Sequence, residues 1–336
     1  MSIETLRFGR RLRRPGSGRI PVTIFTGFLG AGKTSLVRRL IETPEGAGAA
    51  IIVNEFGEIG FDQDVLTSGT EETVLLGNGC LCCTMRTDLQ ETLRALFIKR
   101  QNGEIAFNQI IIETSGLADP GPILQTFISD RALGQEFHLR NLVGVADAVN
   151  FPGLVNTNNL ARKQIALSDT VVITKTDLSD PAQADAADKA VREALAGRQV
   201  PVLRIDNLSA AQILTDDIDI ELRAGGFFAE PAEHESDITS FPIVFDKPLP
   251  WEPFVQAIRA LTQLRGQDLL RVKGVLDVQG CEGPVHFHAV QHLVHEPVEV
   301  EAWPDGKRRS QLIFITRGIS RAQITSLLAA MIDLAR

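Results

Sequence analysis

The segment Gly27–Thr34 reads GFLGAGKT, which has the residue types and the spacing of a phosphate-binding loop. The apolar run Ile20–Phe25 precedes it and a helical pattern over Lys33–Ile41 follows it, which is the context that this motif requires. We expect Lys33 to reach the β- and γ-phosphates of a nucleotide and the Thr34 hydroxyl to bind Mg²⁺. The residues expected to bind the nucleotide here are Gly27, Gly30, Ala31, Gly32, Lys33, Thr34 and Ser35.

A second motif follows the apolar run Val171–Thr174 and reads Thr-Lys-Thr-Asp over residues 174–177. It resembles the guanine-reading motif Asn-Lys-x-Asp, with Thr174 in the place of the usual asparagine. The Asp177 carboxylate can accept two hydrogen bonds from guanine, and adenine cannot supply that pair. Lys175 would lay its aliphatic stem over the base. The alternative is a polar turn in which Asp177 caps a helix.

An acid and a glycine end the buried strand predicted in the segment 110–116, which reads IIIETSG. We expect Glu113 to help hold Mg²⁺ or its water and the Gly116 N–H to face the γ-phosphate. Together with Lys33, these are the predicted catalytic residues. The loop 54–62, NEFGEIGFD, follows another strand and would suit a switch ordered by Mg²⁺ and the γ-phosphate. Its alternative is a solvated acidic turn.

Three of the four cysteines lie within four positions, at Cys80, Cys82 and Cys83. Thiolates are soft ligands that favour Zn²⁺, Cu(I) and similar ions, so we expect these three to bind a transition metal. Glu55 and Glu58 are candidates to complete the ligand shell. The alternatives are small buried apolar side chains or a redox switch. The clustering also indicates a reducing compartment, which predicts a cytoplasmic protein.

Strands and helices alternate over the first two thirds of the chain, which predicts an α/β domain with a mostly parallel sheet and helices on both faces. The motifs fall at the carboxyl ends of its strands, where such sheets bind ligands. The predicted strands are Ile20–Phe25, Ala49–Val53, Gln109–Ile112, Leu142–Ala146, Val171–Thr174 and Val200–Ile205. Later strands and two helices, Trp251–Leu264 and Ser320–Leu334, predict a smaller α+β domain at the C-terminal end.

The length of 336 residues favours two domains. We predict a basic flexible tail over residues 1–19, a P-loop GTPase domain over 20–222, a linker over 223–240 and an α+β domain over 241–336. The net charge of −8 argues against a nucleic-acid partner. No apolar run is long enough to span a bilayer, so no membrane partner is expected.

Three histidines of the last domain, His286, His288 and His292, have the same parity and would share one face of a predicted strand over Val285–Val294. A second metal site or a docking surface for a client protein would then lie there. The alternative is a set of solvated histidines. Cys281 is isolated in the sequence, and we expect it to be structural.

Five segments, in this order, resemble the CobW-type GTPases, a metallochaperone family: GFLGAGKT, NEFGEIGFD, GNGCLCCTMR, IIETSGLADP and TKTD. The resemblance covers nearly all of the chain after the basic tail, and the cysteine loop is its most specific part. It implies GTP hydrolysis coupled to delivery of zinc or cobalt to a client metalloprotein. It also implies that Cys80, Cys82 and Cys83 ligate the ion and that the loop 54–62 is a switch.

Two other classes of function stay open. One is a P-loop ATPase or kinase that acts on a small molecule and has structural cysteines. The other is a metal or redox sensor that nucleotide only stabilises. The base-reading loop separates the first of these from a GTPase, since kinases lack a guanine reader. A homodimer stays open as well.

Overall fold

The computed structural model of the protein describes residues 18–54, 73–75, 83–215, 237–294, 297–299, 303 and 308–333. The chain divides into two compact units. One comprises Gly18–Leu195 and Val200–Ile218, and Asp219–Arg336 forms most of the other. In the described part of the chain, no helix combines the length and the apolarity that crossing a bilayer requires.

A seven-stranded sheet forms the centre of the first unit, with the strand order β3-β2-β4-β1-β5-β6-β7. Every neighbouring pair is parallel, which confirms the predicted α/β architecture. The short strand β3 was not predicted. The strands are β1 (Ile20–Thr26), β2 (Ala49–Asn54), β3 (Thr73–Leu75), β4 (Gln109–Thr114), β5 (Phe137–Asp147), β6 (Thr170–Thr174) and β7 (Val202–Arg204).

Helices cover both faces of this sheet. Successive residues of β5, Val145 and Ala146, belong to two different core clusters, because neighbouring side chains of a strand point to opposite faces. All six residues of β4 are buried, as expected for a central parallel strand. The helices are α1 (Lys33–Ile41), α2 (Cys83–Gln101), α3 (Pro120–Ser129), α4 (Arg131–Glu136), α5 (Phe151–Leu154), α6 (Asn159–Ala166), α7 (Pro181–Ala194) and α8 (Ala211–Leu214).

The second unit contains a six-stranded antiparallel sheet with the order β11-β10-β9-β13-β8, and β12 pairs with β10. This confirms the predicted α+β domain. Phe254 and Phe287 meet edge to face in its core, with ring centroids 5.2 Å apart. The elements are β8 (Ile238–Phe245), α9 (Trp251–Arg265), β9 (Leu269–Leu276), β10 (Val285–Val290), β11 (Leu293–Val294), β12 (Val298–Glu299), β13 (Ser310–Arg317) and α10 (Arg321–Asp333).

The shared face predicted for three histidines is wrong. The chain reverses after Val290, where Gln291 adopts a positive φ of 53°, so the predicted single strand is a hairpin. His292 lies in this turn, and its Nδ1 is 3.0 Å from the Thr262 carbonyl oxygen. His288 accepts a hydrogen bond at Nε2 from the Arg271 Nε at 3.2 Å. Among the described residues, no cluster of histidine, cysteine or acidic side chains is arranged to hold a metal ion.

Candidate functional site

The phosphate loop joins β1 to α1 and closes around the side chain of Lys33. Gly27 has a φ of 149°, and a Cβ at this position would lie 2.3 Å from the Val145 carbonyl oxygen, so only glycine fits against β5. Gly32, with a φ of 89°, is the N-cap of α1. The Lys33 ammonium donates hydrogen bonds to the carbonyl oxygens of Gly27 at 2.9 Å and Phe28 at 3.3 Å. The loop therefore holds a positive charge on its inner side before any phosphate is bound.

Two predicted magnesium-site residues are in direct contact. Thr34, in the first turn of α1, donates a hydrogen bond from Oγ1 to Oε1 of Glu113 at 2.5 Å. Glu113 lies near the end of β4, which pairs with β1, and its side chain is buried. A hydroxyl and a carboxylate are hard oxygen donors of the type that Mg²⁺ prefers, so this pair fits the ion that the motif implies. The next residue, Ser35, is exposed.

The loop after β4 lies directly against the phosphate loop. A Cβ on Gly116 would be only 2.6 Å from the Leu29 nitrogen and 2.7 Å from the Leu29 Cα, so this contact requires glycine. The Ser115 carbonyl oxygen accepts a hydrogen bond from the Ala118 N–H at 3.0 Å, which shapes the loop as a tight turn. The Gly116 N–H donates to none of the described residues. It therefore has its hydrogen-bonding capacity available for a ligand oxygen.

Thr174 joins the base-reading loop to the phosphate loop. Its buried hydroxyl donates to the Ala31 carbonyl oxygen at 2.6 Å. Asp177 lies in a 3-10 turn over Thr176–Leu178, where it is exposed and bonded to none of the described residues. The helix that follows takes Asp180 as its N-cap, so the alternative role of Asp177 as a cap is excluded. Its carboxylate is available for a base.

Asp147 is a site residue that the sequence interpretation missed. It pairs in register with Thr174, and its Oδ2 accepts a 2.8 Å hydrogen bond from the Lys175 ammonium. Burial would raise the pKa of Asp147, but hydrogen bonds from Lys175 and Asn150 outweigh it and hold the pKa below its usual value. The carboxylate therefore stays charged and orients Lys175, whose φ is 56°. The available signal was an acid directly after the predicted strand Leu142–Ala146.

The predicted metal ligands fall mostly outside the described residues. This holds for Cys80, Cys82, Glu55 and Glu58, while Cys83 is the first residue of α2. The strand that leads into the cysteine segment ends at Leu75, five positions before Cys80.

Substitution of Thr174 by valine should weaken binding of GDP and GTP alike, by about 5- to 10-fold. Valine keeps the shape of the side chain but leaves the Ala31 carbonyl oxygen without its buried donor, so the two loops lose their direct bond. The preference for guanine should persist because Asp177 is untouched. Titration with a fluorescent GDP measures the effect, and Thr174→Ser, which keeps the hydroxyl, is the control. Unchanged affinity in the valine variant would show that the hydroxyl does not couple the loops.

Comparison with known proteins places this geometry in a family. Residues 21–201 match the family model described as "CobW/HypB/UreG, nucleotide-binding domain". Residues 238–332 match the model described as "Cobalamin synthesis protein cobW C-terminal domain".

Relatives named as zinc chaperones match along almost all of the chain. "Zinc chaperone YjiA" of Escherichia coli is 31% identical over 327 residues, covering 93% of this chain and 98% of the relative. "Zinc chaperone CobW" of Sinorhizobium sp. is 29% identical and covers 90% and 94%. The crystal structure of Zn(II)-bound YjiA GTPase from E. coli superimposes with a TM-score of 0.67 at 27% identity, covering 93% of this chain and 99% of that structure. The chain therefore belongs to the CobW/HypB/UreG family of nucleotide-binding proteins, and its second unit is a CobW C-terminal domain.

Proposed function

We propose that this protein is a GTP-hydrolysing metallochaperone. It binds zinc through the thiolates of Cys80, Cys82 and Cys83 and passes the ion to a client metalloprotein. The zinc assignment is supported by relatives that are named as zinc chaperones, and zinc is the cargo of the reaction rather than a resident cofactor. Cobalt is the second ion that the thiolate set would accept.

The pairing of β3, β2 and β4 in the seven-stranded sheet supports this proposal. Leu75 pairs with Val53, and Val53 pairs with Glu113 on its other side. Neighbouring strands lie about 4.8 Å apart, so the strand that leads to the cysteines ends about 10 Å from the backbone of the magnesium-site glutamate. These three strands are parallel, so β2, β3 and β4 all end at the same edge of the sheet. The strand before the cysteine segment thus ends at the same sheet edge as the nucleotide site, which supports the proposal that phosphate chemistry and metal binding influence each other.

The nucleotide site contains groups for the β- and γ-phosphates, for Mg²⁺ and for the base of GTP. Lys33 would move from the carbonyl oxygens of its own loop to the β- and γ-phosphates, while the Gly116 N–H would donate to a γ-phosphate oxygen. Thr34 and Glu113 would hold Mg²⁺, which supplies charge neutralisation to the transferring phosphoryl group when it is bound. Asp177 would read the guanine base. Hydrolysis breaks the bond between the β-γ bridging oxygen and the γ-phosphorus, and water supplies the new oxygen.

A nucleotide competition experiment tests the GTPase assignment. The unmodified protein should bind GTP at least about 100-fold more tightly than ATP, because only guanine offers two donors to the Asp177 carboxylate. Asp177→Asn replaces one acceptor oxygen by a donor, and the preference should fall to within about 10-fold. Displacement of a fluorescent GDP by GTP and by ATP measures both preferences.

Asp180→Asn is the matched control for this experiment. It removes the same charge three positions away, and asparagine can still accept the capping bond from the Gln183 N–H. Its guanine preference should equal that of the unmodified protein. Equal affinity of the unmodified protein for GTP and ATP would contradict the assignment and favour the ATPase or kinase class.

A further inference from the structure

Gln164 is a fully buried polar side chain that the nucleotide motifs do not include. It lies on α6, with 0% of its surface exposed. Its Nε2 donates to the Gly116 carbonyl oxygen at 3.2 Å and to the Ala118 carbonyl oxygen at 3.0 Å. Both acceptors belong to the loop after β4, so one carboxamide is directed at the loop whose glycine faces the phosphate loop.

The helix that carries Gln164 is fixed to the sheet. A Cβ on Gly144 of β5 would lie 2.4 Å from the Ser168 Oγ and 2.9 Å from the Ile165 Cδ1, so the helix end packs directly on the bare strand. The Ser168 hydroxyl also donates to the backbone carbonyl oxygen of Gln164 at 2.7 Å. Gln164 therefore projects from a firmly packed helix, and its amide donates to the loop after β4 from a fixed position.

Gly116 is thus located by two separate parts of the fold. On one side, the Leu29 backbone leaves no room for even a methyl group. On the other, the Gln164 amide binds the Gly116 carbonyl oxygen. The Gly116 carbonyl oxygen belongs to the peptide unit after the Gly116 Cα, and the Gly116 N–H belongs to the unit before it, whose Ser115 carbonyl oxygen is bonded to the Ala118 N–H. With both peptide units held and the Cα packed against Leu29, the backbone at Gly116 has a restricted orientation. The Gly116 N–H is therefore positioned before a nucleotide arrives, which lowers the entropic cost of the bond that it forms.

A purely structural role explains Gln164 poorly. Its Oε1 is buried and bonded to none of the described residues, so its bonds to the described residues are the two that Nε2 donates to the loop. The loop is also attached to the same helix by a second contact, since the Lys163 ammonium donates to Asp119 Oδ2 at 2.6 Å. Holding the loop near the helix thus does not depend on Gln164 alone. What Gln164 adds is a donor aimed at the carbonyl oxygen of Gly116.

We propose that Gln164 is a positioning residue for the γ-phosphate: it orients Gly116 so that the site binds GTP more tightly than GDP. This inference rests on the proposed GTPase function and deepens it. Gln164 touches neither the nucleotide nor the reacting atoms, and acts only through the loop. The β-phosphate would be bound by Lys33 and the base by Asp177, so these contacts would not depend on Gln164.

Gln164→Met is the test, because methionine has a similar length and volume and lacks the amide donor. We expect the affinity for a non-hydrolysable GTP analogue, divided by the affinity for GDP, to fall about 10-fold. The GDP affinity should stay within about twofold of the original value. Gln164→Asn is the second variant, since it retains an amide that is one methylene too short to reach Gly116. Calorimetric titration of both nucleotides measures the ratio.

Arg162→Met is the matched control. It removes donors from the same helix, but these bind the Val155 carbonyl oxygen and not the loop after β4, so it should leave the affinity ratio unchanged. An unchanged ratio in folded Gln164→Met or Gln164→Asn protein would overturn the inference, and so would an equal loss of GTP-analogue and GDP affinity. The affinities for the GTP analogue and for GDP are both measured without GTP hydrolysis. A failure of the unmodified protein to hydrolyse GTP would instead contradict the proposed function.

Discussion

Lys33→Ala should reduce GTP turnover by at least about 100-fold, because one directed cation in a phosphoryl-transfer site contributes that much or more. The Lys33 side chain is buried, and its ammonium is already held by the Gly27 and Phe28 carbonyl oxygens. Once Lys33 has moved to the bound phosphates, its positive charge needs no further reorganisation as charge develops on the γ-phosphate. Formation of inorganic phosphate in acid-quenched, single-turnover reactions measures the chemical step without interference from product release.

The matched control for this variant is Arg39→Ala on the same helix. Arg39 is exposed, and it donates to the Ile205 carbonyl oxygen at 3.1 Å, away from the phosphate loop. Its removal deletes one positive charge from α1 and should leave turnover within about twofold. Circular dichroism establishes that both variants fold. Turnover of Lys33→Ala equal to that of the control would place the hydrolytic site elsewhere in the protein.

Replacing Cys80, Cys82 and Cys83 by serine should abolish tight zinc binding, with a loss of several orders of magnitude in affinity. The physical reason is that a serine hydroxyl is a poor ligand for zinc, whereas thiolates bind it strongly. Binding of GDP should persist, because the phosphate and base contacts come from other loops. Cobalt titration reports the ligands directly, since thiolate-to-metal charge-transfer absorption should be present in the unmodified protein and absent in the variant.

Cys281→Ser is the control for the triple substitution. Burial, together with the nearby carboxylates of Glu299 and Asp277, raises the pKa of the Cys281 thiol to about 11. This thiol stays protonated near neutral pH and should not ligate the ion, so its replacement should leave zinc affinity unchanged. In the unmodified protein, zinc affinity should fall as the pH falls, because ligand thiols must lose their protons to bind. Stoichiometric, tight zinc in the triple variant would remove these cysteines from the proposed site.

The sequence was sufficient for the central strands and for α1 because their apolar runs are long or strictly periodic. Ile20–Thr26 and Gln109–Thr114 are buried runs bounded by motif residues, and α1 was predicted with its observed ends. The strand β3 was missed because three residues give no periodicity to detect. The hairpin at Gln291 was missed because its two turn residues, Gln291 and His292, include neither glycine nor proline, although the alternation of apolar and polar residues breaks at Val290.

Within the site, residues in contiguous motifs could be predicted, and those that act across the fold could not. Lys33 and Asp177 lie in patterns whose spacing reflects their chemistry. Asp147 becomes interpretable only when β5 is known to lie beside β6, because that order brings its carboxylate to Lys175. Gln164 gave no signal, since a single glutamine on a short helix is ordinary. Its role depends on a contact between residues 48 positions apart.

The most direct test of the central claim is the affinity for zinc, measured by competition with a chromophoric chelator. This affinity is compared between the GDP-bound protein and the protein bound to a non-hydrolysable GTP analogue. The strand before the cysteine segment, β3, is separated from the Glu113 strand β4 by β2 alone, so a change at the γ-phosphate should alter the metal site. We predict affinities that differ by about 5- to 150-fold between the two states, the usual range of coupling between sites. Identical zinc affinities in the two nucleotide states would contradict a nucleotide-driven metallochaperone.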